Sequence, residues 1–264
     1  MNDARWAVIT GASSGIGRAL MFEFAGDGYN VVLTGRNEAA LRSAAEECRS
    51  RHHVETDIVI ADLASAEETR RLILELASHS RRYEALVNNA GFGIHGEFVA
   101  TDLEREIEMV DVQLVAMLRL TKGLLPAMVA RHHGNVLNVA SVYAFGPVPS
   151  QAVYAASKAF ILSFSSALQD ELRGSGVHVT AFCPGVTKTE FRARAGIFDK
   201  GRGITAEHAA RIAYDSMKRG RHVVVPGLAN RIFFLLSRLL PSGSFAGVTR
   251  WINRQRGLSQ SRNG

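Results

Sequence analysis

Short apolar runs recur along the chain, separated by longer stretches in which apolar and charged residues mix at helical spacing. The runs fall at 7–10, 30–34, 57–61, 85–88, 135–140, 178–183 and 222–225, and their enrichment in Val, Ile, Leu and Thr predicts strands. The stretches 18–25, 38–49, 67–77, 103–130 and 152–173 predict helices, because each has an apolar side and a charged side. Val31-Val32-Leu33 lacks polar alternation, which fits a strand covered on both faces. Strands alternating with helices predict an α/β, doubly wound Rossmann fold: one parallel seven-stranded sheet with helices on both faces and right-handed crossovers. Ligands of such sheets bind beyond the carboxyl ends of the strands.

With 264 residues, 47% hydrophobic and 21% charged, the chain suits one core rather than two. The sequence has no linker, repeat or low-complexity tract, so residues 1–227 are expected to form one domain and 228–264 an apolar helical extension. The run 230–240, with Ile232-Phe233-Phe234-Leu235-Leu236, is shorter than the ~20 residues that span a bilayer and is bracketed by Arg231 and Arg238. It predicts a helix packed over a substrate mouth or a second subunit, with peripheral membrane contact as the alternative.

Met1 to Arg5 lead directly into an apolar run, leaving no room for a signal segment, so a cytoplasmic location is expected. Cys48 and Cys183 make neither a disulfide framework nor a zinc spacing, which predicts reduced thiols and no metal. The pairs His52-His53 and His132-His133 lack the i, i+4 spacing of ligands on one helix face and are expected to be solvated near helix ends. The net charge of +6 is scattered, which argues against nucleic acid and suits an anionic cofactor.

Thr10-Gly11-Ala12-Ser13-Ser14-Gly15-Ile16-Gly17 follows the first strand and opens a helix, where backbone N–H groups can face a pyrophosphate. Gly11 permits the turn, Gly15 lets phosphates approach the backbone, and Gly17 allows close packing of helix on strand. The second strand ends at Gly35, where a carboxylate would select NAD. Arg36 follows instead and suits a 2′-phosphate, so NADP(H) is the expected cofactor.

Tyr154 and Lys158 stand four apart in a helical stretch and so share a face, and Ser141 closes the preceding strand. A phenol of ordinary pKa about 10 needs a nearby cation to work at neutral pH, and Lys158 can supply that field. Tyr154 is then the general acid or base on the carbonyl or alcohol oxygen, and Ser141 a hydrogen-bond donor to that oxygen.

These motifs, with Asp62-Leu63, Asn88-Asn89-Ala90-Gly91 and Pro184-Gly185-Val186-x-x-Thr189, resemble the short-chain dehydrogenase/reductase family over about residues 5–227. The resemblance implies hydride transfer between a nicotinamide and a small carbonyl or alcohol. It implies that Asp62, with Leu63, meets the adenine, that Asn89, Ala90 and Gly91 support the cofactor-side strand, and that Pro184, Gly185, Val186 and Thr189 flank the nicotinamide. Lys158 would also reach the cofactor ribose. Where the family has a catalytic asparagine, alignment puts Gln113, which would hold a proton-relay water. A homodimer or homotetramer through 103–130 and 152–173 is also implied. The substrate pocket is expected to draw on 92–98, 142–151 and 190–204, including Phe145, Phe191 and Phe198. A non-catalytic NADPH sensor and an NAD-linked alcohol dehydrogenase are the competing readings.

Overall fold

The computed structural model describes residues 4–189, 191, 203–239 and 247. Seven strands form one parallel sheet: β1 (Arg5–Thr10), β2 (Asn30–Gly35), β3 (Thr56–Ile60), β4 (Arg82–Asn88), β5 (Gly134–Val139), β6 (Val177–Phe182) and β9 (Val223–Val224). Their order is β3-β2-β1-β4-β5-β6-β9, so the chain reverses direction across the sheet between β1 and β4. A crevice opens there at the carboxyl edge. Two elements absent from the strand pattern, β7 (Thr187–Lys188) and β8 (Ile204–Thr205), pair as a separate parallel ribbon.

Helices α1 (Gly15–Gly26), α2 (Glu38–His52) and α7 (Ala206–Lys218) supply or border one core, in which Phe24, Leu41 and Met217 meet Ile9, Leu33 and Phe182. A second core packs Leu72 of α3 (Ala66–Ser78), Leu120 and Met128 of α5 (Ala116–Ala130) and Leu168 of α6 (Ala152–Glu171) on Val8, Leu86 and Val136. Val31, Val32 and Leu33 are wholly buried between these layers, as the unbroken apolar run requires. Asn37, Ser65, Asp102 and Thr205 cap α2, α3, α4 (Leu103–Val110) and α7 with side-chain oxygens.

The predicted helix 103–130 is continuous but interrupted by a π-turn at Asp111–Val115 between α4 and α5. Such turns re-aim the side chains they carry, here Gln113. By length and apolarity this helix could cross a membrane. Met109, Leu120, Leu124 and Met128 are instead buried in the protein, together with the polar Glu106 and Gln113.

Two buried polar chains fix the frame beneath the crevice. Asn88 donates to Asn138 (2.8 Å) and Asn138 to Ser165 (2.9 Å), tying β4 and β5 to α6. At the opposite edge of the sheet, buried Glu84 receives Arg82 (2.7 Å), Tyr29 (3.3 Å) and the imidazole of His133 (3.3 Å). His133 is therefore not a simply solvated histidine: it answers a buried carboxylate that would otherwise be costly. His53 and His132 terminate helices in the left-handed region. Cys48 and Cys183 are free and buried, and burial pushes their thiols up to about 11 and about 12.

Candidate active site

A cavity of about 470 Å³ runs along the carboxyl edge of the sheet. One end is walled by Gly11, Ser13, Ser14, Gly15 and Ile16, the middle by Asn89, Ala90 and Gly91, and the other end by Ser141, Tyr154, Lys158 and Pro184, Gly185, Val186 and Thr189. Fifteen predicted residues thus meet on one surface although they come from five separate stretches of chain.

The glycine loop is shaped by close approach. Gly11 has φ +65°, and a Cβ there would stand 2.9 Å from the Ala90 Cα; a Cβ on Gly17 would stand 2.3 Å from the Gly11 carbonyl oxygen. Gly17 therefore acts from beneath the loop and does not line the cavity. Thr10, a residue whose role the sequence reading did not single out, holds this junction. Its hydroxyl accepts from the backbone N–H of Asn89 and of Ala90 (both 2.9 Å), while the Asn89 amide donates to the Thr10 carbonyl (2.9 Å). Ser14 at the head of α1 makes no side-chain cap, unlike the capped helices above. The first N–H groups of α1 are thus left to an outside acceptor beside the cavity.

At the catalytic end, Ser141 leaves β5 and caps a short 3₁₀ turn, Val142–Phe145, accepting from Tyr143 N (3.2 Å). Tyr154 and Lys158 project from the first turns of α6, with the ammonium 5.5 Å from the Tyr154 ring centre. Lys158 donates to the Val139 carbonyl (3.0 Å), and burial pushes it down to about 7. A phenol, a hydroxyl and an amine gathered in an enclosed cavity can bind an oxygen and exchange a proton with it.

Other expected residues stand off the cavity wall. Gln113 lies outside this cavity: its amide donates to the Phe92 carbonyl (2.9 Å), and it lines a separate void of about 10 Å³ with Asn88 and Val139. The π-turn carries it there, and Gly91 makes room, since a Cβ at 91 would stand 3.0 Å from its Cγ. Leu63 packs in the second core, because its side chain points into the layer under α3 and α5. Arg36 and Asp62 also lie off the cavity wall, at the ends of β2 and β3, and engage each other (3.6 Å); Glu108 of α4 takes Arg36 at 2.9 Å. Phe145 packs against Phe234 (ring centres 4.6 Å apart) instead of lining the cavity.

Phe92, Val142, Tyr143, Gln151 and Phe191 do line it, from the expected variable stretches, whereas Phe198 lies outside the described residues. The helix expected over the mouth is α8 (Leu228–Leu239), which contributes Ala229, Asn230 and Phe233. Asn230 donates to the Pro226 carbonyl (2.7 Å), and a Cβ on Gly185 would collide with its amide (2.5 Å). Glycine at 185 is what lets α8 settle against the site.

A crevice at the reversal of a parallel sheet, an uncapped helix start and a buried tyrosine–lysine pair define a Rossmann-fold oxidoreductase site. The family model for short chain dehydrogenases matches residues 5–198, and the chain belongs to that family. It is 37% identical over 186 residues to a sulfoacetaldehyde reductase of Chromohalobacter salexigens, covering 70% of this chain and 73% of that protein. A short-chain dehydrogenase from Sphingobium yanoikuyae, solved with NADPH, superposes with a TM-score of 0.81 at 28% identity over 98% of both chains. A 7β-hydroxysteroid dehydrogenase superposes at 0.83 and 26% identity, over 93% of this chain and 96% of that one. The protein is an NAD(P)-dependent oxidoreductase acting on alcohol or carbonyl groups. The residues present fit the dinucleotide: the uncapped α1 start faces the cavity, and Gly11 keeps open a passage that a Cβ would fill.

Proposed function

We propose that this protein is an NADPH-linked reductase of apolar ketones or aldehydes, running also as the reverse alcohol oxidation. The observation that carries the reading is the burial of Ser141, Tyr154 and Lys158 together on the wall of a cavity that continues to the open start of α1. The nicotinamide, when bound, supplies or accepts the hydride. Tyr154 delivers the proton to the carbonyl oxygen, or removes it from the alcohol, and Ser141 holds that oxygen by a hydrogen bond. Lys158 lowers the cost of phenolate when it is protonated and reaches the cofactor ribose. Asp62 meets the adenine, and Pro184, Gly185, Val186 and Thr189 hold the carboxamide end.

Gln113 is a positioning residue in this account: its bond to the Phe92 carbonyl sets the loop after Asn-Asn-Ala-Gly, in place of a relay water. Phe92, Val142, Tyr143, Phe191 and Phe233 make the substrate end largely apolar, and this supports a lipophilic carbonyl compound. Reduced, buried cysteines support a cytoplasmic setting. A dimer through α4–α5 and α6 is supported by the exposed Ile107, Leu118 and Phe160.

Arg36 supports NADPH over NADH, since it is the cation at the end of β2 and no carboxylate occupies Gly35. Its pairing with Asp62 and Glu108 is the observation that favours the NAD-linked reading. Titration of the purified protein with NADPH and NADH, followed by nicotinamide fluorescence, separates the two. NADPH should bind at least tenfold tighter, and Arg36→Ala should erase most of that preference. Equal affinities would overturn the NADPH assignment.

A further inference from the structure

Helix α8 has two different faces. Ala229, Asn230 and Phe233 line the cavity, and Phe234 rests on Phe145 of the 3₁₀ turn. On the outer side Leu228, Ile232 and Leu235, spaced i, i+4, i+7, form one stripe and are 74%, 49% and 58% exposed. Three large aliphatic side chains in register on one helix are not the scattered apolar residues of an ordinary surface. Phe98 and Val99, in the connection that follows β4, are also strongly exposed at the same carboxyl end of the sheet.

The charge of the segment is one-sided. From 228 to 264 the sequence carries Arg231, Arg238, Arg250, Arg254, Arg256 and Arg262 and no Asp, Glu or Lys. Arg231 stands beside the stripe and is held there by its Nε bond to the Val225 carbonyl (3.1 Å). An aliphatic stripe beside Arg231, in a segment whose sequence carries arginines and no acid, is complementary to an anionic phospholipid surface: the side chains enter the acyl boundary while the guanidinium groups meet phosphates.

We infer that α8 docks the protein on anionic membranes through Leu228, Ile232 and Leu235. The docked face is the reverse of the cavity wall, so α8 alone would stand between the substrate end of the cavity and the lipid. Resting on the reading above, this narrows the substrate to a carbonyl or alcohol that partitions into lipid. Docking itself requires no catalysis and is measured apart from it.

The test is co-sedimentation of the full chain with phosphatidylcholine vesicles and with vesicles containing one third phosphatidylglycerol. The protein should pellet with the anionic vesicles roughly tenfold more than with the neutral ones. Raising the salt should release much of it, as surface charges are screened. Ile232→Glu with Leu235→Glu should abolish pelleting while thermal melting and NADPH binding stay unchanged, because both side chains are exposed. Arg231→Gln should weaken binding without abolishing it.

Failure of the wild type to pellet with anionic vesicles, or pelleting equal to wild type in the double Glu variant, overturns the proposal. So does loss of self-association in that variant when the wild type ignores vesicles, which would make the stripe an interface between copies. Each of these leaves the NADPH titration standing, so failure of docking is distinguishable from failure of the proposed activity.

Discussion

Lys158→Met should make the protein more stable and destroy its activity, and the stability gain should depend on pH. Burial holds the folded-state lysine near 7 against an ordinary 10.5. Between these values the unfolded chain binds a proton that the folded chain does not, so wild-type stability rises with pH by about 1.4 kcal/mol per unit. Below 7 the folded protein carries the buried charge at its full penalty, about 5 kcal/mol from the separation of the two values. Above 10.5 both states are neutral and the penalty vanishes.

Methionine fills a similar volume without charge but forfeits the bond to the Val139 carbonyl, a loss of about 1 kcal/mol. The variant should therefore exceed wild type by about 4 kcal/mol below neutrality, or roughly 10 °C in Tm at ~2–4 °C per kcal/mol. Above 10.5, where only the lost bond counts, the variant should be weaker by that ~1 kcal/mol. Cys183, pushed from 9 up to about 12, lowers the stability of both proteins alike above pH 9 and cancels from their difference. Denaturant unfolding of both proteins at several pH values is the assay. Parallel stability curves, or a variant weaker than wild type at every pH, would refute the reasoning that Lys158 is held at a desolvation cost for the sake of function.

Other outcomes follow from the same geometry. Gln113→Leu removes the bond to the Phe92 carbonyl and also a buried amide oxygen that has no partner, so stability should change by less than about 1 kcal/mol; a urea midpoint shift worth more than about 3 kcal/mol would show that this oxygen is satisfied, for example by a water in the adjoining void. Glu108→Gln removes the anion that holds Arg36 at 2.9 Å, and NADPH affinity should rise about two- to fivefold with NADH affinity unchanged; fluorescence titration that finds both affinities unmoved would separate Glu108 from cofactor choice.

Much of the site was legible because its signals are local. The glycine loop, the Tyr154–Lys158 spacing and the apolar strands each lie within a few residues of chain, where turn geometry and helical period act directly. What escaped depends on partners distant in sequence. Glu108 reaches Arg36 across 72 positions, and the Asn89 amide reaches Thr10 across 79. Gln113 could be aligned with the family asparagine, but only the π-turn decides that its amide turns to Phe92. The apolar run 230–240 suggested a helix over the mouth. That Asn230 and Phe233 face inward while Ile232 and Leu235 face out depends on where β9 ends and on the lack of a side chain at Gly185. The β7–β8 ribbon was hidden because two-residue strands leave no period to read.

The proposed chemistry makes Tyr154 the proton donor to a carbonyl reduced with NADPH. It is tested most directly by following NADPH oxidation over a panel of apolar ketones and aldehydes with wild type and Tyr154→Phe. Wild type should turn over at least one member, and the variant should lose about a hundredfold or more of kcat, as removal of a general acid requires, with NADPH affinity within about threefold of wild type. A Tyr154→Phe protein that keeps wild-type kcat on the same substrate would contradict the account.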